Sequence, residues 1–218
     1  MGYFSSAIGR KQIMGVTGLA WSLFVLSHMA GNLLIFVGPD AYNKYSHAII
    51  TNPLLYVAEG GLVLTILLHI YNGLRLTFEN RAARPTKYAM PTNGEKKARF
   101  QSKFMAFHGT LILVFLIYHL ITFKYGTHYT TVVDGVEMRD LHRLIMEVFQ
   151  SPIYVIWYVV CLIGLGLHLS HGFYSSFASL GIFHPRLNPW LSKFGYAYAA
   201  IVAAGFIAQP LYVFVVAR

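Results

Sequence analysis

A chain of 218 residues in which 56% are hydrophobic and only 11% charged is too apolar for a water-soluble domain, where roughly a quarter of residues carry charge. Its formal charge of +9 would raise nucleic acid as a partner for a soluble protein, but no aromatic-basic recognition motif accompanies it, and loop topology in a membrane protein explains it better. A single cysteine, Cys161, excludes an internal disulfide and a cysteine-ligated iron–sulfur cluster, and there is no Cys-x-x-Cys-His attachment motif.

In chain order, five apolar segments each reach the ~20 residues needed to cross ~30 Å of hydrocarbon. They predict helices at about 12–37, 53–79, 102–125, 151–180 and 192–217 of one membrane domain covering 1–218. The first is longer than a signal-peptide core and contains His28 and Asn32, so it reads as a retained helix. Gly2 and Ser6 match a myristoylation motif by chance, since a multispan protein gains nothing from so weak an anchor. Pro53, Pro152 and Pro189 punctuate helix starts, where a missing N–H costs least. Between the third and fourth segments, Met138, Leu141, Leu144, Ile145 and Val148 recur at helical spacing, which fits a helix lying along the interface or packed on the bundle.

With the N-terminus inside, Arg10, Lys11, Arg75, Arg81, Arg84, Lys87, Lys96, Lys97, Arg99, Lys103, Arg186 and Lys193 fall on the cytoplasmic side. Lys44, Lys124, Arg139, Arg143 and Arg218 fall outside, so twelve cations against five satisfy the positive-inside rule. The expected fold is therefore an all-α membrane protein, a five-transmembrane-helix bundle with its N-terminus cytoplasmic and its C-terminus outside.

Ligating side chains inside a membrane span are costly and face a bundle interior or a cofactor. Four of the five segments carry such a residue: His28 in Ser-His-Met-Ala-Gly-Asn, His69 in Leu-His-Ile-Tyr-Asn-Gly, His119 in Tyr-His-Leu-Ile and His168 in Leu-His-Leu-Ser-His-Gly. At 1.5 Å per residue His28 and His119 both lie ~20 Å from the inner ends of outward-running helices, which places both in the outer half of the bilayer. His69 and His168 lie ~20 Å from the outer ends of inward-running helices, which places both in the inner half. Two imidazoles at one depth are what axial ligation of a haem iron requires, and two such pairs would stack two b haems across the membrane. Gly31, Gly73 and Gly172, three or four residues after a histidine, offer either room for a flat macrocycle or close helix contact. His171 is a second candidate beside His168, and His108 is expected to make an interfacial hydrogen bond. Arg10 and Arg75 are expected to snorkel to the inner interface.

At these motifs the chain resembles, over nearly its whole length, the five-helix dihaem cytochrome b anchor subunit of succinate dehydrogenases and fumarate reductases from menaquinone-using bacteria. The resemblance implies His28 with His119 on the outer haem and His69 with His168 on the inner, in a multi-pass protein of the bacterial cytoplasmic membrane. It implies a flavoprotein subunit and an iron–sulfur subunit on the cytoplasmic side, with Arg81, Lys96, Lys97 and Arg99 as candidate docking charges, and menaquinone near the outer haem. Glu59, in Val-Ala-Glu-Gly-Gly, is ten residues and ~15 Å outward of His69, and there it would exchange protons with the quinone or simply face the aqueous rim. Some fumarate reductases of this type carry a glutamate two residues before the second inner ligand as part of a proton route; here that position is Gly166, which leans the reading toward succinate oxidation. The competing readings are a dihaem cytochrome b of another quinone-linked oxidoreductase and a haem-free transporter with histidines in its pathway.

Overall fold

The computed structural model describes residues 2–3, 6–83, 104–182 and 184–216. Arg84, Lys87, Lys96, Lys97, Arg99, Lys103 and Arg218, all counted in the charge topology, lie outside the described residues, as does the expected start of the third helix at 102.

Helix α1 (Ala7–Asn32) starts where Ser6 accepts the Gly9 N–H through its hydroxyl at 3.1 Å, supplying one of the four donors a helix start leaves orphaned. It tightens into a 3-10 turn over Leu33–Phe36 and breaks at Gly38, whose φ of 134° no residue with a side chain adopts readily. Helix α2 (Pro39–Ile50) follows with Pro39 in its first turn, and α3 spans Leu55–Ala82. Helix α4 (Met105–His119) runs on into a π-turn at Leu120–Lys124. A hairpin of β1 (Thr130–Val133) and β2 (Val136–Arg139) turns through Asp134 and Gly135, both at positive φ as a two-residue hairpin loop requires. Short helix α5 (Leu141–Val148), then α6 (Pro152–Ser179) and α7 (Asn188–Val216), complete the chain.

Five of these helices are long and apolar enough to cross a membrane, so the chain has the build of a multi-pass membrane protein. Their ends fall within a few residues of the expected ones, except that α1 begins earlier, at Ala7, where Ser6 caps it. Apolar side chains cover the outside of the bundle: Leu64 and Leu67 are 60% exposed, Ile156 64% and Ile201 62%. In water such a surface would drive aggregation, whereas lipid solvates it.

Around the interior, α1 packs on α3 and α6, α4 packs on α6 and touches α3, and α7 lies outside against α6 and α1. Thus α1, α3, α4 and α6 form a ring of four in which α1 faces α4 across one diagonal and α3 faces α6 across the other. Missing side chains set the closest approaches. A Cβ on Gly15 would stand 3.0 Å from the Ser176 carbonyl oxygen of α6, and one on Gly166 would stand 3.0 Å from the Ala203 Cβ of α7. Gly166 therefore faces the fifth helix, and a long side chain there would displace it.

Helix α2, the hairpin and α5 build a cap over one end of the ring, which sequence patterning foresaw only in part. The amphipathic segment ending at Phe149 is packed on the bundle: Leu144, Ile145 and Phe149 are buried, while Met138, expected on the same helix, belongs to β2. Arg139 ties the cap to α4 by donating from Nη2 to the Phe123 carbonyl at 2.9 Å, satisfying an oxygen freed at the helix end. Asn43, 1% exposed, donates to Asp140 Oδ1 at 2.9 Å and accepts the His142 N–H at 3.0 Å.

Candidate functional site: two imidazole pairs on crossed diagonals

The ring brings the four membrane histidines together two by two. His28 of α1 and His119 of α4 lie with ring centres 5.9 Å apart and planes at 89°. His69 of α3 and His168 of α6 lie 6.3 Å apart at 63°. Each pair spans a diagonal, so neither requires the helices that carry it to touch.

Three helices give the separation of the two levels. Thr17, which contacts His69, precedes His28 by eleven residues on α1; Tyr158, which contacts His119, precedes His168 by ten on α6. Gly109, whose added Cβ would stand 3.7 Å from His168 Cε1, precedes His119 by ten on α4. At helical rise each interval is ~15 Å, so the pairs are stacked along the bundle axis about half a bilayer apart.

Their surroundings differ. The His28–His119 pair is enclosed by aromatic rings: Phe24 stacks on His28 at 5.3 Å, Phe206 approaches it at 6.0 Å, and Phe115 and Phe123 flank His119 at 5.7 and 5.4 Å. The His69–His168 pair is bordered by hydroxyls and small residues. Thr17 Oγ1 donates to the Ile13 carbonyl at 2.7 Å, and its oxygen is 3.0 Å from His69 Nδ1. With that proton committed to the backbone, the hydroxyl accepts from an Nδ1–H, which leaves Nε2 of His69 as the ring's lone-pair donor. The Tyr158 hydroxyl stands 3.2 Å from His119 Nδ1, where either atom can be the donor. Asn32 reaches the His28 carbonyl at 2.8 Å and is itself oriented by the Tyr42 hydroxyl of α2 at 2.6 Å. His168 Nδ1 is buried with no hydrogen-bond partner.

The donor set limits what these pairs can hold. Among the described residues no group of three or more His, Cys, Asp or Glu converges, whereas a bare zinc or copper ion takes three or four protein ligands. Two imidazoles suit a metal whose other positions are already filled, as haem iron's are. Spacing agrees: with metal–nitrogen bonds of about 2.0–2.1 Å and roughly 1 Å more to each ring centre, a shared metal sets the ring centres roughly 6 Å apart. Gly18 adds to the fit at the His69–His168 level, since a Cβ there would stand 3.4 Å from His69 Cε1 and 3.0 Å from Ser176 Oγ.

Of the glycines singled out in the sequence, two serve packing. A Cβ on Gly31 would overlap the Tyr45 ring, and Gly73 is covered by Met14 at 3.5 Å, while Gly172 keeps open space around it. Arg10 does not snorkel: it is buried at 7% exposure and donates to Glu79 of α3 at 2.7 Å, with Arg75 on the same carboxylate at 3.0 Å. His108 differs from expectation as well. It is 5% exposed, and its Nδ1 has no hydrogen-bond partner. Glu59 is not brought against an imidazole; it pairs with Lys124, at the far end of α4. Thr17 and Tyr158 were overlooked in the sequence, though the same depth ruler that matched the histidines puts each level with one of them.

Neither the protein-family models, nor the curated proteins, nor the solved structures contain a match to this chain.

Proposed function

We propose that the chain is a dihaem cytochrome b of a bacterial cytoplasmic membrane, with His28 and His119 as axial ligands of an outer haem b and His69 and His168 of an inner one. The observation that carries this reading is the presence of two half-buried imidazole pairs, 5.9 and 6.3 Å across, on crossed diagonals of one four-helix ring. Haem bound in this way supplies one-electron transfer at an iron with both axial positions filled, which suits electron passage rather than oxygen binding. Thr17, its own proton on the Ile13 carbonyl, would accept from Nδ1 of His69 and hold the tautomer that leaves Nε2 free to bind, while Tyr158 orients His119 through its Nδ1.

By the resemblance of its motifs, the wider assignment is the membrane-anchor subunit of a succinate dehydrogenase or fumarate reductase. Electrons would pass between a cytoplasmic iron–sulfur subunit, itself served by a flavoprotein subunit, and menaquinone near the outer pair, with the N-terminus cytoplasmic as the cation asymmetry favours. Glu59 would exchange the quinone's protons; its pairing with Lys124 keeps a carboxylate at that level of the bundle and supplies a cation to release it.

The test is a reduced-minus-oxidised spectrum with haem quantitation on the purified protein, comparing wild type with His28→Ala and His69→Ala. Two b haems in wild type and loss of one in each variant is the expected result. Absence of haem from every sample would overturn the assignment and favour a transporter; haem with a different neighbouring subunit in the native complex would move it to another quinone-linked oxidoreductase.

A further inference from the structure

Two buried imidazole nitrogens in the inner half of the bundle lack hydrogen-bond partners, and they sit on helices that pack against each other. His168 Nδ1 is on α6 and His108 Nδ1 on α4. His108 is 5% exposed, at the second turn of α4, and the residue after it, Gly109, stands directly against the His168 ring, with 3.7 Å from a built Cβ to His168 Cε1. Leaving a polar group desolvated and unpaired costs about 1–3 kcal/mol, so two unpaired nitrogens on helices packed together need a reason. Pairing them with each other would satisfy both.

Two of the other three membrane histidines set the pattern. His69 has the Thr17 hydroxyl at its Nδ1 and His119 the Tyr158 hydroxyl, whereas His28 Nδ1 faces a donor, the Asn32 amide nitrogen, at 3.5 Å. A metal-bound imidazole donates its second N–H to an acceptor that fixes the ring's tautomer and raises its basicity, and His168 is the one ligand candidate here without a protein neighbour in that place.

We propose that His108 is the positioning residue of His168, accepting the His168 Nδ1–H directly or through one bridging water and so fixing the Nε2 lone pair of His168 toward the inner haem. His108 is not itself a ligand: it lies on the same helix as His119, eleven residues away, and belongs to the inner level, where the axial positions are supplied by α3 and α6. The inference rests on the dihaem reading and deepens it at one ligand.

The test is a redox titration of both haems in the purified protein, with haem quantitation, for wild type, His108→Ala and His108→Gln. Gln keeps an acceptor oxygen. In His108→Ala the inner ligand becomes a weaker donor, ferric haem loses about tenfold of its preference over ferrous, and the inner midpoint potential rises by about 59 mV while the outer is unchanged. His108→Gln recovers most of the shift. An inner potential unchanged in His108→Ala, or an equal shift in both haems, overturns the role of His108 with the dihaem reading intact. Retention of wild-type potential by Ala together with loss of haem in Gln would mark His108 as space-filling only. No haem in wild type would overturn both.

Discussion

Replacing Thr17 with valine removes one oxygen and keeps the shape of the side chain. Thr17 is 3% exposed, so water cannot take the oxygen's place, and the His69 Nδ1–H would be left buried and unpaired at a cost of about 1–3 kcal/mol. On α1 itself the change acts the other way. The Thr17 hydroxyl bonds back to the Ile13 carbonyl at 2.7 Å, a contact that slightly weakens a helix, so the fold gains a few tenths of a kcal/mol when it goes. In the haem-free protein in detergent the first effect outweighs the second, so thermal unfolding should show a net loss of at most about 1–3 kcal/mol, while haem affinity at the His69–His168 site falls by ~10- to 100-fold, the range for loss of an outer-shell partner. The assay is haem retention under rising detergent or competing apo-globin, with the outer haem as internal reference and Thr17→Ser as the variant that keeps the oxygen. Equal inner-haem retention in Thr17→Val, Thr17→Ser and wild type would refute the tautomer argument, and so would equal loss from both sites.

Three further outcomes follow from the same geometry. Asn43→Ala breaks one hydrogen bond to a carboxylate and strands the His142 N–H at a site 1% exposed; a loss of about 2–4 kcal/mol is expected, read as faster hydrogen exchange in α2 and α5, and a change below about 0.5 kcal/mol would count against the cap being held there. The cap should also weaken in acid: desolvation holds His142 below its ordinary 6.5, against an opposing pull from Asp140, so the unfolded state binds the proton first and stability declines as pH falls from about 6.5, an effect that His142→Gln should flatten in exchange measurements between pH 7.5 and 5.5. Glu59→Gln breaks an ion pair whose side chains are 34% and 38% exposed, worth only about 0.2–1 kcal/mol, so melting should be little changed while quinone-linked turnover drops by ~10²-fold or more; unchanged turnover would remove Glu59 from proton transfer.

The five spans and the two histidine pairs were legible because each rests on a one-dimensional quantity. Segment length decides whether a helix can cross, and residues counted from a helix end convert to depth at a fixed rise. What sequence could not supply was direction around each helix. His108 and His168 both lie in apolar runs, and only the packing of α4 on α6 shows His108 turned inward with an unpaired nitrogen rather than out toward the interface. Arg10 misled for a related reason: a basic residue one turn into a membrane helix ordinarily snorkels, but here Glu79 arrives from α3 at the same level and holds it inside. The cap escaped notice because α2 is only twelve residues of low overall apolarity, and its anchor, Asn43, bonds residues almost a hundred positions away.

Pairing by depth and pairing across a diagonal are one constraint. In a ring whose members follow each other in the chain, neighbours run antiparallel and every second helix runs the same way. His28 and His119 lie on helices of one direction, His69 and His168 on helices of the other, so equal distance from the starting face places each pair level, and the ring places level partners opposite each other. Neighbouring helices approach to 8–10 Å, which leaves diagonal axes roughly 11–14 Å apart, enough for two imidazoles to meet from opposite sides but too far for backbones to close the gap. Side chains must fill that space. A bundle of purely structural purpose would fill it with leucine at no desolvation cost, so four imidazoles spent on two diagonals are best explained by something held between them.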